Sequence, residues 1–337
     1  MENDNKKKKK FSLFRYSLDG KGVSKDENEE RNFTFFFKLL GRKLSSILSV
    51  NILLLLGNFP IFFLILGMSS NFNDVSYAPP SQYFGPVYGA LKLSGGASAA
   101  EAAIRGVHGL QIEISVNTTA TNIMFILGAL VTLTFGVTVA ATTYIMRNLV
   151  KGEPVFLLQD FVRTIKNNWK QALPFGIFDV VVSLIIVYDL YFFAANRGTY
   201  VANVMFFLAL AIGLIYFVMR FYIYTMMVTF RLSIYKLLKN AFIFSVVGFK
   251  RNILGLLGIA VVILFNYALL FVFFPLGMLL PFVVTTSLCQ FIAIYTSWPK
   301  IYEIMIEPYE EDDDTPKEEP IFRDDVQKKP KRRAKAE

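Results

Sequence analysis

The chain has 337 residues, 54% of them hydrophobic, with a net charge of +9. A soluble domain carries about 45–50% apolar residues, and here the excess is gathered into long blocks between charged tails. One Cys and one His exclude an internal disulfide, a cysteine- or histidine-based metal centre and a Cys-His nucleophile pair. No phosphate-binding Gly-rich loop ending in Gly-Lys-Ser/Thr and no Gly-x-Ser-x-Gly elbow occurs, so nothing points to an enzyme or to a bound cofactor.

Residues 1–32 hold the run Lys6 to Lys10 and the acidic patch Asp26 to Glu30. They bury too little apolar surface to fold and are expected to be a disordered tail. The first apolar run starts near Leu44, too far from Met1 for a signal peptide, so no cleavage is expected. Six runs follow, each long enough to cross the roughly 30 Å hydrocarbon core as a helix. They are Leu44–Gly67, Ile123–Met146, Leu173–Ala195, Val201–Tyr222, Ile253–Phe274 and Leu276–Trp298. The runs are continuously apolar, without the alternation of a barrel strand. The fold class is therefore all-α: a polytopic membrane helix bundle over residues 33–305, with cytoplasmic interfacial helices.

Residues 68–122 interrupt the series. Pro79, Pro80 and Pro86 and an Ala-rich stretch from Ala97 to Ile104 predict a small extracytoplasmic insertion capping the bundle. Its Glu101-Ala102-Ala103 and Gly106 resemble the coupling loop of binding-protein-dependent permeases. The Gly spacing is one short, no Ile-x-Leu-Pro follows, and the segment falls on the wrong side, so that match is rejected. His108 reads as a solvated residue of the insertion. Asn117-Thr118-Thr119 has the glycosylation spacing with nothing else to support it.

Two loops are basic. One carries Arg147, Lys151, Arg163, Lys166 and Lys170, the other Arg231, Lys236, Lys239, Lys250 and Arg251. With six spans, both loops and both tails fall on one side, which the positive-inside rule makes cytoplasmic. Phe161, Ile165, Trp169 and Ala172 recur at helical spacing in the first, and Ile234, Leu238, Ala241 and Ser245 in the second. Both loops are read as interfacial helices, with Trp169, Lys166, Lys170, Lys250 and Arg251 at the headgroups. The expected partners are the bilayer and, for the basic loops and tails, anionic lipid headgroups. Because the positive charge tracks the loops, no nucleic acid is expected. The segments 37–48, 161–173 and 242–254 share an aromatic start, a basic corner and a following span, which suggests three hairpins of one design.

Charges within spans are expensive and mark candidate functional sites. Asp179 and Asp189 both lie in the third span, about 15 Å apart along the axis and about 80° around it, so they form no acid–base pair. The plainer reading gives each a neighbouring partner, Arg197 for Asp189. Arg220 sits at the end of the fourth span. Asn266 is a third intramembrane candidate, and with Asn51, Asn58 and Gln290 it is expected to bridge helices. Residues 306–337, with Glu310 to Asp314 and a basic end, are read as a second disordered cytoplasmic tail.

Asn58-Phe59-Pro60, Phe135-Gly136-Val137-Thr138-Val139-Ala140-Ala141-Thr142-Thr143-Tyr144 and Arg147-Asn148-Leu149-Val150-Lys151-Gly152-Glu153 resemble the YesL-like integral membrane proteins of Gram-positive bacteria. Asp160-Phe161, Asn168-Trp169-Lys170-Gln171-Ala172 and Tyr188-Asp189-Leu190-Tyr191 fit the same family, over roughly residues 35–60 and 130–300. The chain departs from it in the long stretch between Pro60 and Gly136. The family is a domain of unknown function whose members are often associated with carbohydrate uptake. The resemblance thus implies a bacterial plasma membrane and sugar-transporter subunits as partners, and supplies no catalytic residue. Two readings result: a non-enzymatic accessory of a carbohydrate-uptake system, or a transporter in its own right.

Overall fold

The computed structural model describes residues 33–78 and 112–309. Both tails, the Pro-rich and Ala-rich parts of the insertion, Glu101-Ala102-Ala103 and His108 lie outside the described residues. Ten helices are described: α1 (Phe33–Gly57), α2 (Ile61–Met68), α3 (Thr119–Ala129), α4 (Val131–Lys151), α5 (Leu157–Ala195), α6 (Tyr200–Met227), α7 (Ile234–Val247), α8 (Phe249–Val272), α9 (Phe274–Leu280) and α10 (Thr286–Met305). A π-helical turn, Pro281–Thr285, joins α9 to α10. Six helical stretches are long and apolar enough to cross a membrane. The molecule is an all-α multi-pass membrane bundle.

The six runs sit where expected, but three are broken. The first helix begins at Phe33, eleven residues before the predicted start, and stops at Gly57. Asn58-Phe59-Pro60 forms a turn because Pro60 has no N–H to continue the ladder. The chain resumes as α2, which packs on α3. The second run breaks at Leu130, between α3 and α4. The sixth is broken by Pro281 and its π turn.

Side chains from distant parts of the chain satisfy the backbone freed at that turn. Asn51 Nδ2 donates to Phe282 O (2.6 Å) and Pro281 O (3.2 Å), and its Oδ1 accepts from Ser287 N (2.9 Å). Pro281 cannot donate to Gly277 O, and Asn266 Nδ2 does so instead (3.1 Å). Unpaired carbonyls in hydrocarbon each cost several kcal/mol, so these two asparagines are architectural.

The expectation of two separate interfacial helices needs correction. Residues 161–172 form no helix of their own: they are the start of α5, which runs unbroken for 39 residues despite Pro174. At 1.5 Å per residue that is about 58 Å, so α5 must project well beyond the hydrocarbon. Trp169 is 49% exposed on this projection. The second prediction holds better. α7 is a distinct amphipathic helix capped by Ser233, burying Leu237, Ala241 and Phe244 while Lys236 and Lys239 face outward. It turns into α8 at Gly248, where an added Cβ would stand 2.9 Å from Phe244 O. Asn252 Nδ2 caps the last carbonyls of α7, Phe244 O (3.2 Å) and Ser245 O (2.9 Å), while its Oδ1 accepts from Tyr222 Oη (2.6 Å).

Of the insertion, an antiparallel ribbon is described, β1 (Asp74–Ala78) with β2 (Ile112–Val116), in register Ser76 to Ile114. Thr118 caps α3 through Thr121 N (3.3 Å).

The core gathers at the end bearing the basic loops. Ile47 and Val50 of α1, Ile145 and Met146 of α4, Phe175 of α5, Tyr222 and Met226 of α6, and Phe291, Ile294 and Trp298 of α10 are almost fully buried there. α4 and α5 cross at Gly136 and Gly176. A Cβ on Gly136 would lie 2.9 Å from Gly176 N, and one on Gly176 would lie 2.7 Å from Gly136 N. Only two glycines permit backbones this close. Toward the other end the helices spread, and Val187, Tyr191, Val201, Phe207, Val261 and Phe271 are all exposed apolar surface.

Candidate functional site

Asp179 is completely buried, and the fold brings three donors to it, all from α6. Tyr216 Oη donates to Oδ1 (2.9 Å) and Tyr224 Oη to Oδ2 (2.7 Å). Arg220 Nε lies 3.0 Å from Oδ1 and 3.1 Å from Oδ2. Tyr216, Arg220 and Tyr224 are spaced four apart, so they line one face of α6. The Arg220 guanidinium also stacks on Phe135, 5.6 Å from the ring centroid. A buried carboxylate is tolerated only when paired and fully hydrogen-bonded, and this one is both.

Arg220 also faces a cavity of about 350 Å³ between α1, α4, α6, α8 and α10. Its walls are mostly apolar, with Asn58, Thr143, Tyr224 and Gln290 among the polar exceptions. Gln290 Nε2 donates to Thr142 Oγ1 (3.0 Å) and Thr143 Oγ1 (2.9 Å) of α4. Its Oε1 is the one buried side-chain polar atom without a partner among the described residues.

The other predicted positions scatter. Asp189 is half-buried near the far end of α5 and has no ion pair among the described residues. The suggested partner, Arg197, instead stacks on Phe206, its guanidinium 4.0 Å from the ring centroid. Asn266 is engaged with Gly277 O, away from Asp179 and the cavity. Lys166, Trp169 and Lys170 are exposed on the projecting part of α5, with Lys170 Nζ 6.0 Å from the Trp169 ring. Lys250 and Arg251 are exposed in the first turn of α8.

Sequence reasoning missed two features. One is the Asp179–Arg220 pairing. Asp179 stands 16 residues before the end of α5 and Arg220 stands 20 after the start of α6. Folding this hairpin sets them within about one helical turn of the same depth, a signal available from the sequence. The other is Arg147, taken as the first loop residue but only 8% exposed. Its Nη1 donates to Val228 O (3.1 Å) and Thr229 Oγ1 (2.8 Å), and Nε and Nη2 share Asn148 Oδ1 (3.2 and 2.9 Å). The guanidinium packs over Tyr144 (4.8 Å) and Trp298 (5.8 Å). Among the described residues it makes no ion pair, although the Glu153 carboxylate is near enough to act on its charge.

No group of three His, Cys, Asp or Glu side chains able to hold a metal occurs among the described residues. In comparisons with known proteins, the family described as "Protein of unknown function, DUF624" matches residues 118–190. No curated protein and no solved structure matches the chain. The matched segment covers α3, α4 and most of α5, including the Gly136–Gly176 crossing and Asp179.

Proposed function

We propose that the chain is a non-enzymatic accessory protein of a bacterial plasma membrane, with both termini cytoplasmic, that associates with a carbohydrate-uptake complex. The motifs of α4 and α5 and the DUF624 match support a place among the YesL-like proteins of Gram-positive bacteria. That resemblance is the source of the sugar-uptake link.

The observation that carries the accessory reading is the closed state of the buried charges. Asp179 spends both oxygens on three donors of its own chain. A carboxylate held this way stabilises a hairpin, whereas a coupling site must release and rebind its partners. The apolar faces of α5 and α6 also favour association. Only 6% of the apolar window of Leu157–Ala195 and 11% of that of Tyr200–Met227 is buried within the chain. Lipid covers such faces by default, and helices of a partner fit them equally well.

The test is recovery of the tagged full chain from gently solubilised membranes. Sugar-transport subunits are expected to co-purify in fixed proportion, and repeated recovery of the chain alone at good yield would refute the association. The transporter reading has one observation behind it, the cavity beside Arg220. It predicts that the isolated chain moves solute in proteoliposomes.

The orientation is tested separately. In a Cys289→Ser background, Gly198→Cys is expected to react with a membrane-impermeant maleimide on intact cells. Lys239→Cys should react only after permeabilisation. The opposite pattern overturns the assignment of the basic loops to the cytoplasm.

A further inference from the structure

A second cavity, of about 680 Å³, lies at the basic end between the projecting part of α5 and the connection from α6 to α7. Arg163, Asn167, Asn168 and Lys170 line it from α5, and Thr229 and Arg231 from the opposite wall. None of its lining residues is acidic. Asp160, one turn before Arg163, accepts from Phe156 N (2.8 Å) at the start of α5. Arg163, Lys170 and Arg231 make no ion pair among the described residues.

Two observations show that the cavity is built rather than a gap between loose loops. Gln171 Nε2 donates to Leu232 O (2.5 Å), tying α5 to the far wall. Buried Arg147 stands behind that wall, fixing Val228 O and Thr229 Oγ1. Its charge adds to the three at the cavity. Arg163, Lys170 and Arg231, with no carboxylate in the lining between them, repel one another, and a fold keeps such a group together only at a cost. An anion entering the cavity offsets that cost.

We propose that this cavity binds a phosphate-bearing anion, with Arg163, Lys170 and Arg231 as its charged ligands. Guanidinium groups match a tetrahedral oxyanion with paired donors, and a lysine adds a point charge. The volume exceeds that of a bare phosphate and admits the group attached to it. The cavity is lined by the projecting start of α5 and the connection after α6, and a lipid headgroup or a soluble anion can supply the phosphate. The inference rests on this geometry and not on the accessory reading, and it stands whichever partner the chain has.

The test uses the full chain in nanodiscs. In one arm, inorganic phosphate is titrated into discs of phosphatidylcholine, with chloride at equal ionic strength as the reference. In the other, phosphatidylglycerol retained by the released protein is counted by native mass spectrometry. Binding in the first arm assigns a soluble anion, and binding in the second alone assigns a headgroup. Arg163→Gln/Lys170→Gln/Arg231→Gln is expected to weaken binding by roughly tenfold or more. Lys236→Gln/Lys239→Gln/Lys250→Gln removes equal charge outside the cavity and is expected to stay within about twofold. All three cavity residues are exposed, so folding is expected to survive, and Arg231→Gln alone serves if the triple variant fails. Equal loss in the two triples, or no binding of either probe, overturns the proposal.

Discussion

Asp179→Asn is expected to destabilise the folded chain by about 3–5 kcal/mol, the usual result of breaking a buried ion pair from one side. The substitution is nearly isosteric, so packing contributes little. Its effect is to leave the Arg220 guanidinium between α5 and α6 without a countercharge and to replace one of the two carboxylate oxygens that accept from Tyr216 and Tyr224 with an NH2 that cannot accept. Unfolding of the purified protein in mixed micelles measures the loss, and a variant as stable as the parent would show that the pair contributes nothing. Removing both charges should recover much of the stability, because Asp179→Asn/Arg220→Gln no longer buries an unpaired ion. A double variant worse than the sum of the singles would contradict this account. The comparison also bears on function. A structural pair predicts that the rescued double variant still associates with its partners, whereas a coupling carboxylate predicts solute movement by the parent in proteoliposomes that the double variant loses.

Gly136→Val is expected to be comparably severe, at about 3 kcal/mol or more, for a different reason. The added Cβ would meet Gly176 N at 2.9 Å and come closer still to Gly176 Cα and Ala172 O, which are backbone atoms unable to swing aside. The two helices must separate, and the buried contacts of Ala140, Ala172 and Phe175 loosen with them. The midpoint of thermal unfolding in detergent reports the change. Gly198→Val is the matched control, since a Cβ there meets nothing within 4 Å, and it should lie within about 0.5 kcal/mol of the parent. Equal behaviour of the two variants would mean that the close crossing does not stabilise the bundle.

Both effects arise from contacts that could be only half read from the sequence. Asp179 and Arg220 stood out because each is a charge in an apolar run, but their partnership depends on how the α5–α6 hairpin closes. Gly136 and Gly176 carry no mark in composition, since glycines are common in spans and only the crossing makes these two necessary. Because the apolar run ends at Met146, the sequence places Arg147 in the loop. In the fold a flat guanidinium between Tyr144 and Trp298 buries as readily as an aliphatic side chain. The surface helix expected at 161–172 proved continuous with α5, because Pro174 removes one hydrogen bond without stopping the helix. Asn266, a polar residue inside a span, donates to the carbonyl that Pro281 leaves free, a partner that no sequence spacing indicates.

What the sequence determined by itself is the class of the fold: six apolar helical runs between charged tails, with the basic loops gathered at one end. Hydrocarbon imposes these features residue by residue, through length, polarity and backbone satisfaction, so a linear reading suffices. Where the helices break, which polar groups meet and where cavities open was decided only in three dimensions. Asn51 reaches Phe282 across 231 positions and Asp179 meets Tyr224 across 45. Hairpin folding brings Asp179 to the depth of its partners, but which side chains meet is settled only by how the two helices pack.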